Sequence, residues 1–356
     1  MPEEKPFYGG QAVLEGVMMR SRHEYSTAVR RADGSIAVGR RKIDGFSSRH
    51  GWARWPLMRG NFALLDSLVL GMESLQFSGN IALEDETRAQ AEPTIYPAER
   101  LRSGRRASPA LGKGDEEQKP QSLGTAALWL TLLPALAIGI GLFVLLPTYA
   151  VGWILGPGEL GATTEDLSAV IARNLVEGVI RLLLVMGYIA AISLIGYIRR
   201  VFEYHGAEHK TINALEAGQQ VTVENAMACS ALHPRCGTAF ILVVIAVKII
   251  VNCFLGWPDL WLRMLLRLAV LPPVAGIAYE VIHFAGRHRD SVFARALALP
   301  GLLLERLTTR EADAEQVQVA IYALAAVAPE VELPDGFASP EEVRIGKAGQ
   351  VVRDIS

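Results

Sequence analysis

Four long apolar runs constrain this chain more than any other feature. A helix that crosses a bilayer needs about 20 mostly apolar residues. "LGTAALWLTLLPALAIGIGLFVLLPTYAVGWIL" (Leu123 to Leu155) meets that without a charge, and "LVEGVIRLLLVMGYIAAISLIGYI" (Leu175 to Ile198) meets it with one Glu and one Arg. "GTAFILVVIAVKIIVNCFLGW" (Gly237 to Trp257) carries a central Lys. "LRMLLRLAVLPPVAGIAYEVIHFAG" (Leu262 to Gly286) is broken by Pro272-Pro273. The remaining residues are rich in Arg, Gly and Pro, and the chain is 51% hydrophobic. A water-soluble domain rarely segregates its residues this way. The fold class expected is therefore an α-helical multi-pass membrane protein of about four transmembrane helices. It carries a small N-terminal α+β cytoplasmic region.

Orientation follows from Lys and Arg in short loops. Arg100, Arg102, Arg105, Arg106, Lys113 and Lys119 precede the first run, and Arg199 and Arg200 follow the second. Arg287, Arg289 and Arg295 follow the fourth. Both termini and the 199–236 loop are thus expected in the cytoplasm. "MPEEKPFYGGQ" has no apolar core to serve as a signal peptide.

Four regions result. Residues 1–84 form an N-terminal cytoplasmic region, 85–122 a linker without periodicity, 123–286 the bundle and 287–356 a helical tail. "YSTAVRRADGSIAVGRRKI" reads as a β-hairpin around Asp33-Gly34, with a type I′ turn expected. Arg59 to Leu83 reads as a helix on the membrane face or packed on the bundle. Asp313 with Gln316 forms an N-cap pair ahead of "VQVAIYALAAV", and Ser339, Pro340 and Glu342 give a second helix-start signal.

The polar residues cluster where the second run ends. In "FEYHGAEHKTINALEAG", His205, Glu208 and His209 fall within one helical arc at about 100° per residue. The order His-x-x-Glu-His is that of zinc sites in which both imidazoles bind metal and the carboxylate activates water. "LHPRCG" brings His233 and Cys236 to the same end, and the fourth run ends with Glu280 and His283 on one face. The three cysteines form no disulfide framework, which points to a reducing side or a metal ligand. A lone histidine at a membrane interface is usually just an interfacial residue. Three segments converging at one level argue for more than that. His23, His50 and His288 have no such company and read as surface residues. Glu177 and Arg181, four apart, are expected to pair. Lys248 is costly there unless it faces the bundle, paired with a carboxylate such as Glu280 or lining a polar cavity. "YGGQAVLEGVMMRS" lacks the Lys-Ser/Thr of a phosphate loop, which excludes that mode of nucleotide binding.

The motifs "GGQAVLEGVMMR", "FEYHGAEHKTINALE", "LHPRCGTAF" and "PGLLLERLTTRE" resemble those of the YqhQ-like family of bacterial membrane proteins. That family is a domain of unknown function, often labelled a predicted metal-dependent enzyme. The resemblance runs from about Gly9 to Leu324, apart from Glu84 to Ser122. It implies a multi-pass protein of the bacterial inner membrane with a metal site. The residues it implicates are Glu15, His205, Glu208, His209, His233, Cys236, Glu280 and His283.

The expected function is a metal-dependent hydrolase at the cytoplasmic membrane interface. Its cofactor is a divalent metal, zinc, held by His205 and His209. A further ligand comes from His233, Glu280 or His283, and Glu208 is the catalytic base. The alternative is a scaffold or assembly factor whose metal is closed by Cys236 and His233. A transporter using Lys248, Asn252 and Glu177 is the third reading. The partners expected are the lipid bilayer and a membrane-associated substrate or protein, with homo-oligomerisation a further expectation and no nucleic acid.

Overall fold

A computed structural model describes residues 8–43, 51–91, 134–156, 167–233, 236–288, 291–346 and 349–352. Most of the expected linker (92–122), the first residues of the first run, His50, Pro234 and loop residues 157–166 lie outside the described residues.

Strands β1 (Gly9–Val13), β2 (Gly16–Arg20), β3 (Glu24–Arg30) and β4 (Ile36–Lys42) form an antiparallel meander. The chain returns 300 residues later to extend it. β5 (Glu341–Ile345) pairs parallel to β4, and β6 (Val351–Val352) antiparallel to β5, giving one sheet in the order β1 to β6. The expected helix start at Ser339 and Pro340 is therefore the entry to a strand. Val343 and Ile345 alternate inward there, and β4 offers an open edge to pair with.

The β3–β4 hairpin forms at the expected place with a different turn. Gly34 has φ +85°, whereas Asp33 is not in the left-handed region. Gly34 N–H donates to Arg31 O, and Arg31 N–H donates to Ser35 O. This is a type I turn closed by a glycine bulge, so one residue and not two needs positive φ.

Side chains alternate across the sheet. Val17, Met19, Ala28, Ile36 and Val38 face one side, against helices α4 (Gly196–Glu216), α5 (Val223–Ala228) and α10 (Ala314–Ala325). Met18, Tyr25, Val29 and Ala37 face the other, against Leu70, Phe77 and Ile81 of α1 (Met58–Ala91). α1 covers residues 59–83 as expected and runs on through the first seven residues assigned to the linker. α10 starts with the expected capping box, Asp313 and Gln316 each bonding the other's backbone. Its residues from Val317 to Leu324 are almost all buried, because it lies between the sheet and α4.

The apolar part contains α2 (Pro134–Leu155), α3 (Leu167–Ile192), α6 (Gly237–Phe254), α7 (Leu260–Ala269), α8 (Leu271–Arg287) and α9 (Val292–Thr308). Among the described residues α2 and α3 are long and apolar enough to cross a membrane. α7 and α8, bent by 43°, make a third if they count as one span. α2 carries a π turn at Gly141–Leu145. Pro147 has no N–H to give the carbonyl of Phe143, and Arg181 Nε donates to that oxygen at 3.0 Å instead. Arg181 pairs with Glu177 as expected, at 2.6 Å. The pair is part of a larger network. Arg267 of α7 grips both oxygens of Glu177 and also reaches Asn174, while Thr148 donates to Glu177. Lys248 faces Arg181, Arg267 and Glu177, and not Glu280.

Candidate metal centre

α4 leaves α3 after a short break at Ser193–Ile195 and crosses from the bundle to the sheet. Tyr204, Ala207 and Ile212 are buried in the sheet-side core. Glu208 packs against β1, where a Cβ on Gly10 would lie 3.1 Å from its Cγ. Gly206 is needed on this helix. A Cβ there would sit 2.0 Å from the carbonyl oxygen of Arg310, in the chain that leaves α9. That close approach lets residues 305–310 lie across α4. Arg310 N–H donates to Phe202 O at 3.0 Å.

His205 and His209 are one turn apart, with ring centroids 4.4 Å apart. Each has its Nδ1 committed outward. His205 Nδ1 lies 2.8 Å from Thr308 O, and His209 Nδ1 lies 2.7 Å from Ala231 O and 2.8 Å from Glu305 Oε1. Carbonyl and carboxylate oxygens only accept, so Nδ1 carries a proton in both rings, and Nε2 is the nitrogen that faces the thiol. Cys236 Sγ lies 3.4 Å from His205 Nε2 and is also bonded to His209. One ligand atom from each of His205, His209 and Cys236 lies within 4.8 Å of the others. Neighbouring ligand atoms around tetrahedral zinc are about 3.4–3.6 Å apart, so a small inward shift would bring these three atoms to that spacing. Glu208 Oε2 stands over the group, 3.7 Å from His209 Nε2 and 4.0 Å from His205 Nε2.

The electrostatics fit a thiolate among imidazoles. Burial pushes the Cys236 thiol up, but hydrogen bonds from His205 and His209 outweigh it and bring the thiol down to about 6. Burial lowers His209, and its bonds to Cys236 and Glu305 outweigh that, pushing it up to about 11. His205 is raised too, since Cys236 overrides its burial, whereas His233 is lowered by burial and by nearby His209.

The other expected ligands are not part of this three-residue group. His233 is beside the group, its ring 5.8 Å from that of His209, with Nε2 3.5 Å from Glu216. Glu280 is clasped by Arg59 and accepts from Leu57 N–H, outside the His205, His209 and Cys236 group. His283 stacks on Tyr279 at 6.0 Å and belongs to that α8 surface. Glu15, in the β1–β2 turn, bonds Arg200 and Tyr204. Glu305, 1% exposed, is the residue that sequence reasoning missed. It accepts from both His209 and the backbone N–H of His233 at 2.6 Å. Its only signal was its place in the motif "PGLLLERLTTRE".

A family model described as "Protein of unknown function (DUF1385)" matches residues 55–330. The chain belongs to the DUF1385 family. The DUF1385 match contains every residue of the centre, including Glu305, and leaves strands β1 to β6 outside it. The chain is also 36% identical over 321 residues to the "Uncharacterized protein YqhQ" of Bacillus subtilis (strain 168), over 89% of this chain and 90% of that protein. No solved structure matches.

Proposed function

We propose that this protein is a membrane-bound, metal-dependent hydrolase. His205 Nε2, His209 Nε2 and Cys236 Sγ would hold a divalent metal, zinc, and Glu208 would act as general base. The carrying observation is the orientation of the two imidazoles. Nδ1 of each is spent on a backbone oxygen, and for His209 also on Glu305, so both Nε2 atoms turn toward the thiol. Carboxylate and carbonyl partners of this kind orient metal-binding imidazoles. The N, N, S donor set suits zinc. When bound, the metal supplies Lewis-acid activation of a water. Glu208 Oε2 lies 3.7 Å from His209 Nε2, beyond hydrogen-bond distance, which leaves it within reach of a water's proton. His205 and Cys236 are half-buried, so the centre is not fully sealed from solvent. Three protein ligands with an open side favour catalysis, and a closed four-ligand site favours a scaffold. His233 is the fourth candidate, and its Nε2 faces Glu216.

The same reading puts the protein in the bacterial inner membrane, with α6 as a further span and both termini cytoplasmic. α6 has 18 residues, about 27 Å of helix against a hydrocarbon core of about 30 Å. The substrate would be peptide or lipid-linked and would approach at the interface. The test is metal content, melting temperature and complementation in parallel. His205→Ala, His209→Ala and Cys236→Ser should each lose the metal. Glu208→Gln should keep the metal and the melting temperature and lose function. Full complementation by Glu208→Gln would end the hydrolase assignment.

A further inference from the structure

α1 is apolar on two opposite faces, and the protein itself uses one of them. Leu70, Ser74, Phe77 and Ile81 are buried under the sheet. At about 100° per residue, Leu65, Leu68, Val69, Met72 and Leu75 fall in a second arc roughly opposite. All five are exposed, Leu68 at 63% and Val69 at 57%. Trp52 and Trp55, just ahead of α1, are exposed as well, and Trp52 packs edge-on against Phe62. The acidic side chains on the flanks are occupied. Asp66 lies beside Arg20, and Glu73 binds Arg41 and Tyr25.

The start of α1 is docked on α8, the inner part of the bent apolar pair. Arg59 pairs with Glu280, Asn61 Nδ2 donates to Pro272 O at 3.0 Å, and the Leu57 carbonyl rests on Gly276. Pro272 lies near the middle of the stretch from Leu260 to Arg287. α1 is thus anchored to the bent apolar pair at the end from which its exposed stripe runs. Tryptophans at the head of an amphipathic helix, with apolar residues along one side, are the pattern of a helix lying in a bilayer interface.

We propose that the outward face of α1 is seated in lipid, with the sheet riding on the helix's other face. This goes beyond the metal-centre reading and is independent of it, resting instead on α2 and α3 as spans. The helix would fix the height of α4, and thus of the His205 pair, relative to the bilayer.

The test uses the full chain in membrane vesicles, with a benzophenone amino acid replacing Leu68, Met72, Leu183 or Glu86 in turn. Leu183 is an exposed residue of α3 and Glu86 an exposed residue beyond the stripe. Phospholipid adducts are expected at Leu68 and Met72 with a yield near that at Leu183, and at least tenfold less at Glu86. Adducts to protein at Leu68 and Met72, from a second copy or another chain, would overturn the proposal. So would a lipid yield there as low as at Glu86 while Leu183 reacts. If Leu183 fails as well, the span reading falls and this proposal falls with it.

Discussion

Cys236 Sγ lies 3.4 Å from His205 Nε2, and His209, one turn along α4, bonds the same sulfur. The relationship joins the loop before α6 to a helix that belongs as much to the sheet as to the bundle. It also sets the ionisation of the thiol, which gives the first prediction. In metal-free protein Cys236 is brought down to about 6, burial opposing and the two imidazoles prevailing. The thiolate is the reactive form. In a Cys229→Ser/Cys253→Ser background, the rate of alkylation by iodoacetamide should rise through pH 6 and flatten above about pH 7. Added zinc should suppress it. A midpoint near pH 8.5, the ordinary thiol range, would show that the histidines do not act on the sulfur.

Glu305 positions His209 and touches nothing in the open part of the centre. Glu305→Gln keeps one acceptor for the imidazole and the backbone N–H of His233 but removes the charge. Changes at such supporting partners typically weaken metal binding about 10–100-fold. Competition with a zinc chelator should show that loss, with stoichiometric metal still bound at saturation. Unchanged affinity would reduce Glu305 to a packing residue.

The hairpin gives a test away from the site. Gly34 alone in its turn has positive φ, at +85°. A β-branched residue there meets the left-handed penalty of about 1–2 kcal/mol, and Asn meets less of it. The melting temperature of the full chain should fall in the order Gly34→Val below Gly34→Asn below wild type. Equal melting temperatures for the three would show that the turn can relax.

What could be read from the sequence is what short-range chemistry controls. Asp313 and Gln316 cap α10 because both partners sit in one turn, and His205, Glu208 and His209 share an arc because helix geometry is fixed. Partner choice over long separations was not legible. Glu280 and His283 share a face as expected, yet Arg59, 221 residues earlier, takes the carboxylate. Glu305 reaches His209 from α9, and no spacing rule links the two. The strand at Glu341–Ile345 resembled a helix start because Ser and Pro open either element. The free edge of β4, a tertiary feature, selects the strand.

The last prediction concerns the buried charges of the bundle. Glu177 is 1% exposed and neutralises Arg267, which grips both its oxygens, and Arg181, which reaches Oε1 at 2.6 Å. The side chains of the two arginines are themselves 8% and 13% exposed. Glu177→Leu would leave two buried guanidinium groups, Arg267 with Asn174 and Thr148 and Arg181 with the Phe143 carbonyl. Breaking a buried pair from one side typically costs about 3–5 kcal/mol, since the orphaned charge keeps its desolvation penalty. Removing charge from both sides costs much less. Glu177→Leu/Arg267→Leu should therefore melt closer to wild type than Glu177→Leu alone, with Arg181 and Lys248 as cations left over. The readout is thermal unfolding in detergent for the two single variants and the double variant. If the double variant is destabilised by the sum of the two singles, the residues do not act as a pair. The network would then be a set of independent contacts, and its excess positive charge would need another explanation.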